Sequence, residues 1–182
     1  LGIETTSFAA LLAAAGLAVG AAWSGLLANF AAGVFLLVFR PFKVGDTIAA
    51  VTITGTVREI GLFVTSIVTA DNVLTYVGNN RLFSDNVQNF SATPFRRVDL
   101  TVQLLPGVDS EVVTLRLRQR LRQIPHLLDT PAPVIEILSF NIVGAAVAPG
   151  VGVRPFCRHE HYAQVFFDTT RAIQETCAHV HV

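Results

Sequence analysis

The stretch TTSFAALLAAAGLAVGAAWSGLLANFAAGVFLLVF, residues 5–39, decides the architecture of this chain. Glu4 and Arg40 bound it, and nothing between them carries a charge. As one straight helix it would extend about 50 Å, against a hydrocarbon core of about 30 Å. It is therefore expected to cross a membrane, and to bend or break while doing so. Gly25, next to Ser24, is the expected kink, because glycine weakens a helix interior and Gly/Ser pairs commonly sit at kinks. The run then divides into a spanning segment, about Thr5 to Ser24, and a shorter one, about Leu26 to Phe39, which carries Asn29 and Gly33. The shorter segment is expected to lie along the membrane interface or to pack on protein beneath. Arg40 and Lys43 follow the run and Glu4 precedes it, so the positive-inside rule puts the residues after Arg40 in the cytoplasm. Pro41 ends the helical region.

The rest of the chain does not share this character. Hydrophobic residues make up 52% of the 182 and charged ones 14%, and the mean hydropathy is +0.55. Most of that excess lies before Arg40, and the residues after it have the composition of a soluble domain. The net charge is zero, so no basic field recruits nucleic acid. Methionine is absent and the chain starts at Leu1, from which further membrane helices are expected to precede it. The apolar run lacks a basic leader and is too long for a signal peptide. Cys157 and Cys177 could pair, but a structural disulfide is the weaker reading for a cytoplasmic domain.

Within the spanning segment the small residues are arranged around one bulky position. At about 100° per residue, Leu17 lies on a line with Ala10, Ala14, Ala21 and Ser24. Ala18 and Ala22 flank that line on one side, and Gly16 and Gly20 on the other. Two small-residue flanks let a helix approach two neighbours closely, as in a ring. A lone Gly-xxx-Gly dimer face, or an Ala-rich buried helix, accounts for part of the same pattern. In the ring reading Leu17 projects to the central axis, where a collar of leucines closes a pore by dewetting. Trp23 suits a membrane interface.

From Lys43 to about Ser91 short Val-, Ile- and Thr-rich segments alternate with turn-formers. Strands are predicted at Asp46 to Ile53, Gly55 to Ile60, Phe63 to Thr69, Val73 to Val77 and Val87 to Phe90, with turns at Asp71-Asn72 and Gly78-Asn79-Asn80. Five such strands suggest a small barrel or sandwich. Pro94 to Arg97 reads as a linker. Beyond it, strands are predicted at Val98 to Leu105, Pro133 to Phe140 and Ala145 to Arg154, and helices at Ser110 to Ile124 and Glu160 to Thr176. Val113, Leu117, Leu121 and Ile124 form the buried stripe of the first helix, capped by Asp109 or Ser110. Arg116, Arg118, Arg120 and Arg122 scatter around its axis as a solvated face. The order β-α-β-β-α is ferredoxin-like without its last strand, which residues from Cys177 onward could begin.

Here the residues resemble a known family. The run Ala15-Gly16-Leu17-Ala18-Val19-Gly20, then Gly25, Asn29, Ala31-Ala32-Gly33 and Arg40-Pro41-Phe42, is similar to the pore helix of small-conductance mechanosensitive (MscS) channels. Val44-Gly45-Asp46-Thr47-Ile48, Gly55-Thr56-Val57, Thr65 to Asp71, Asn79 and Asn89-Phe90-Ser91 resemble that family's β-domain. The likeness is specific from about residue 8 to 100 and continues more loosely to about Glu175. It implies a membrane pore helix over residues 1–40, a small all-β, Sm-like barrel over 41–93, and an α+β ferredoxin-like domain over 94–182 with its last strand absent. It further implies a homoheptamer in the bacterial inner membrane, opened by tension to release ions and small osmolytes on hypoosmotic shock. Membrane lipids and the permeating solutes are the expected partners, and no nucleic acid, cofactor or metal is expected. Leu17 and Ala21 are the gate positions, Gly16, Ala18, Gly20 and Ala22 the packing positions, Gly25 the kink, and Asn29, Gly33, Arg40, Pro41 and Phe42 the interfacial set. Family pores carry a second leucine where this chain has Ala21, so the constriction is expected at a single ring, wider, or elsewhere. Val77-Gly78-Asn79 and Asp71-Asn72 also depart from the family pattern, as loop variations.

Other chemistries weigh less. Cys157-x-His159-x-His161 and Cys177-x-His179-x-His181 repeat a spacing that on a strand could converge on zinc or copper. Each sits where a helix or strand ends, where exposed polar residues are ordinary. Ser84-Asp85, Ser91 and His126 are nucleophile and base types outside any catalytic motif, so no enzyme is expected. The alternative to a channel is a membrane-anchored oligomeric scaffold or sensor module without conduction.

Overall fold

The computed structural model describes residues 5–143 and 146–178. It separates into two compact units, Leu1–Ala92 and Thr93–Val182. Glu4, Ala145, His179 and His181, on which some of the expectations rest, lie outside the described residues.

In the first unit, α1 (Thr5–Phe39) is one continuous helix of 35 residues. The helix runs without interruption through Ser24-Gly25. The alanines and leucines around it favour helix enough to carry a glycine costing roughly 1 kcal/mol. Arg40 ends the helix with φ 49°; its amide donates to Leu36 O at 3.0 Å and its Nε to Leu37 O at 3.2 Å. These bonds satisfy carbonyls that a helix terminus otherwise leaves open.

Five strands come next: β1 (Thr47–Ala50), β2 (Ile53–Ile60), β3 (Val64–Thr69), β4 (Leu74–Gly78) and β5 (Val87–Asn89), with the short helix α2 (Asn79–Ser84) before the last. Every pairing is antiparallel, in the order β4-β3-β2-β1-β5. The segment expected as one strand from Asp46 to Ile53 is in fact divided. Ala50 pairs with Ile53 across a two-residue turn, where Val51 takes φ 62°. A β-branched residue is a poor turn-former, so its apolar side chain disguised the turn as strand. The core joins Leu36 of α1 and Phe42 to Ile48, Val57, Ile67 and Leu82. The segment after Gly25 packs on protein through Ala32, Gly33 and Leu36.

The second unit contains β6 (Arg96–Arg97), β7 (Leu100–Gln103), α3 (Ser110–Leu121), β8 (Val134–Val143), β9 (Ala146–Arg154), β10 (Phe156–Cys157), a 3-10 turn at His159–His161, and α4 (Tyr162–Ala178). The main sheet runs β7-β9-β8 with both pairings antiparallel. β7 and β8 are therefore parallel, joined through α3, with β9 inserted between them. Val113, Leu117 and Leu121 of α3 are buried against Ile135, Val151 and Val153, while Ile124 packs at the edge of this cluster beyond the end of the helix. Asp109 caps α3 by accepting from Glu111 N at 2.8 Å. Arg116, Arg118, Arg120 and Arg122 are exposed, and Arg120 pairs with Glu175. Part of the expected linker forms a strand, since Arg96 and Arg97 pair with Cys157 and Phe156. Cys177 belongs to α4 and does not begin a strand.

Candidate pore helix

Residues Thr5 to Leu27 of α1 are exposed without exception. Leu17 is 76% exposed and Trp23 61%. A Cβ added at Gly16, Gly20 or Gly25 would meet nothing within 4 Å. This is an apolar cylinder, long enough and hydrophobic enough to cross a membrane. Leu17 projects from it with Ala18 and Ala22 on one flank and Gly16 and Gly20 on the other. Among the described residues of one chain, all six of these, Ala21 included, stand exposed. Their roles therefore depend on what surrounds the helix.

The other end of α1 is held by short-range polar chemistry. Asn29 Nδ2 donates to Gly25 O at 2.9 Å, and Asn29 Oδ1 accepts from Asn80 N at 3.0 Å, which ties α1 to the start of α2. One turn later Gly33 lies so close to the β2–β3 loop that a Cβ would sit 2.1 Å from Leu62 O and 2.5 Å from Asn79 Nδ2. Only a glycine permits this approach. Asn79 is fully buried; it accepts from Thr65 Oγ1 at 2.8 Å and donates to Gly61 O at 2.8 Å. Its side chain thus clamps both ends of the loop against which Gly33 rests. Phe30 meets Phe63, and Phe35 stacks on Phe83 at 5.4 Å.

Beyond Arg40 a second polar cluster fixes the exit of the helix. Asp46 Oδ2 accepts from Lys43 N at 2.9 Å and from Asn89 Nδ2 at 2.8 Å, while Asn89 Nδ2 also reaches Pro41 O at 3.3 Å. Ser91 Oγ accepts from Thr47 N at 3.0 Å. Phe42 is 1% exposed in the apolar core beneath. Of the interfacial set, then, Asn29, Gly33, Arg40, Pro41 and Phe42 all fall at the joint between α1 and the five-stranded sheet. Sequence reading missed Asn80 as the partner of Asn29, Asn79 as the clamp on Gly33, and α2 itself. The available signal was two polar or small residues, Asn29 and Gly33, one turn apart in an otherwise apolar helix.

Of the candidate metal triads, Cys157, His159 and His161 do not form a ligand set, and the other falls partly outside the described residues. Cys157 is buried beside Val98 and Val165, and burial raises its thiol pKa against a smaller opposing pull from Arg96. Burial first, and the Arg96 charge second, lower the pKa of His159. His161 stacks on His126 with ring centres 3.7 Å apart. No group of three metal-ligating side chains occurs among the described residues.

Residues 25–92 match the family described as mechanosensitive ion channel, β-domain. That segment begins at the expected kink and includes both polar clusters of the joint. The chain thus carries the β-domain of the mechanosensitive ion channel family. It is 39% identical over 155 residues to a small-conductance mechanosensitive channel of Edwardsiella ictaluri, covering 85% of this chain and 53% of that relative. It is 35% identical over 174 residues to an MscS-family protein of Synechocystis, covering 96% and 57%. The chain thus spans about half the length of the curated relatives it matches. Its fold is similar to that of closed-state MscS from Helicobacter pylori, with a TM-score of 0.82 at 23% identity, covering 96% of this chain and 69% of that one. MSL1 of Arabidopsis thaliana matches at a TM-score of 0.75 and 22% identity, covering 96% and 63%. The family is one of channels and not a class of enzymes.

Proposed function

We propose that the chain is the pore-forming part of a mechanosensitive ion channel, which opens under membrane tension and releases ions and small osmolytes on hypoosmotic shock. The observation that carries this reading is α1 itself. Residues 5–27 are wholly exposed and uncharged, while the segment from Asn29 to Phe42 is anchored through hydrogen bonds and core packing. A free apolar helix on a rigid base needs lipid and copies of itself around it.

In this reading α1 crosses the bacterial inner membrane and residues after Arg40 are cytoplasmic. Seven copies surround the axis, with the Gly16/Gly20 flank of one helix against the Ala18/Ala22 flank of the next. Leu17 faces the axis and closes the pore by dewetting; Ala21, one turn on, is too small to form a second tight ring. Gly25 is the position at which α1 tilts between states, since Asn29 and Gly33 fix everything below it. The five-stranded sheet completes a small Sm-like barrel, and the parallel β7 and β8 flanking β9 form part of a ferredoxin-like domain.

The test is electrical. The full-length protein in excised membrane patches is expected to give currents that rise with applied tension. A correctly assembled protein that stays silent up to lytic tension would favour the non-conducting scaffold.

A further inference from the structure

The end of α3 and the segment that follows it hold a pocket of ≈ 350 Å³ in the second unit. Its floor is apolar. Leu121 belongs to the buried cluster of that unit, and Ile124 and Leu127 pack half-buried against the cluster. Three charges stand around this floor, Arg118 and Arg122 from the helical side and Asp129 from the segment beyond. All three are exposed, and among the described residues none of them forms an ion pair, with each other or with another group. Opposite charges thus line one small cavity without meeting across it.

The arrangement of the charges is fixed by the backbone. Arg122 keeps an αR conformation just past the end of α3, so it lies one turn from Arg118, with Cβ atoms about 5–6 Å apart. Like charges at that spacing repel, and a single carboxylate received by both guanidinium groups relieves the repulsion. The other wall is held in advance. Leu128 N donates to Phe156 O at 2.8 Å and Leu127 bridges to Cys157, which pins the residues just before Asp129 to β10.

We propose that this pocket binds a free α-amino acid with an apolar side chain. Its carboxylate meets Arg118 and Arg122, its ammonium group donates to Asp129, and its side chain lies on Ile124 and Leu127. A phosphate or other simple anion fits less well, because it would face Asp129 and leave the apolar floor bare. A quaternary ammonium fits less well too, since no aromatic side chain lines the pocket to receive it. The volume is at the small end for ligand pockets, which run from about 300 to 1,000 Å³, so a nucleotide or a peptide is too large. Ion pairs between exposed groups contribute little each, so the expected dissociation constant is on the order of 1 mM. The site stands apart from the membrane helix and does not depend on the channel reading.

The experiment is saturation-transfer NMR on the full-length protein in detergent micelles, with the signal from empty micelles subtracted. The probes are L-leucine, leucinamide, which lacks the carboxylate, and 4-methylpentanoate, which lacks the ammonium group. L-leucine is expected to bind saturably, leucinamide about tenfold more weakly, and 4-methylpentanoate about threefold more weakly. Arg118→Gln together with Arg122→Gln should weaken L-leucine about tenfold. Asp129→Asn should abolish the difference between L-leucine and 4-methylpentanoate, which a merely structural role for Asp129 would not do. Equal binding of all three probes would overturn the proposal, as would leucine binding that survives the arginine substitutions. So would the lack of any saturable leucine signal up to about 20 mM, well above the expected constant.

Discussion

Replacing Gly33 by alanine tests whether the joint beneath α1 is as tight as its geometry requires. The two opposing effects can be sized. Alanine in a helix interior is worth up to about 1 kcal/mol over glycine, so on propensity alone the variant is stabilised. Against this, the added Cβ lands 2.1 Å from Leu62 O and 2.8 Å from Leu62 C, atoms of the backbone that cannot swing aside. Reaching ordinary contact moves α1 or the loop by about 1 Å, and overpacking on that scale costs roughly 1–3 kcal/mol. The same movement strains the Asn79 bond to Gly61 O and the Asn80 bond to Asn29, each worth about 1 kcal/mol. The steric and hydrogen-bond terms win, for a net loss of about 2 kcal/mol and a fall in melting temperature of about 5 °C. Thermal unfolding of the full-length protein in detergent reads the loss, and hydrogen exchange at residues 61–65 and 79–84 locates it. An unchanged or higher melting temperature, with exchange unaltered, would mean that helix propensity decides at this site and that the close approach is unimportant.

The same contacts set other expected outcomes. Asn79→Leu removes both side-chain hydrogen bonds of a fully buried residue and leaves Thr65 and Gly61 O short of a partner; it should cost about 2–3 kcal/mol in chemical denaturation. Gly20→Val has no steric conflict inside one chain, so an assembly defect on native gels is expected only if a neighbouring helix packs there, and normal assembly counts against the ring. Leu17→Ser should hydrate the constriction and leave cells leaky and slow-growing; a silent phenotype there, with a strong one at Ala21, would move the gate. The lowered pKa of His159, due mainly to burial, means that the folded state favours the neutral ring. Its contribution is present above about pH 6.5, the ordinary histidine value, and fades as pH falls below that toward the folded-state value. His159→Gln should therefore flatten the decline in melting temperature between about pH 7.5 and 5.5, and an equal decline in both proteins would count against this assignment.

Much of this organisation was legible because it rests on local periodicity. The uncharged run from Thr5 to Phe39 marks α1, and the spacing of Val113, Leu117 and Leu121 marks α3. The features that escaped were set by distant partners or by unusual turn residues. The hairpin between β1 and β2 turns on Val51, whose side chain signals strand. Asn79 and Asn80 read as turn-formers, yet they begin α2, because Asn79 finds its partners at Gly61 and Thr65 and Asn80 at Asn29. The small-residue face of α1 was readable, but among the described residues nothing packs against it. The joint at Asn29 and Gly33 was visible only as two odd residues in an apolar helix, and its meaning depended on Leu62 and Asn79.

The most direct test of the central claim, that α1 lines a conducting pore with Leu17 on its axis, is thiol modification during recording. Leu17→Cys in the full-length protein is held open by tension in an excised patch, and a charged, membrane-impermeant thiol reagent is added. An immediate step in single-channel current, absent from the unsubstituted protein, is the expected result. Sustained tension-activated current that the reagent leaves unchanged would contradict it.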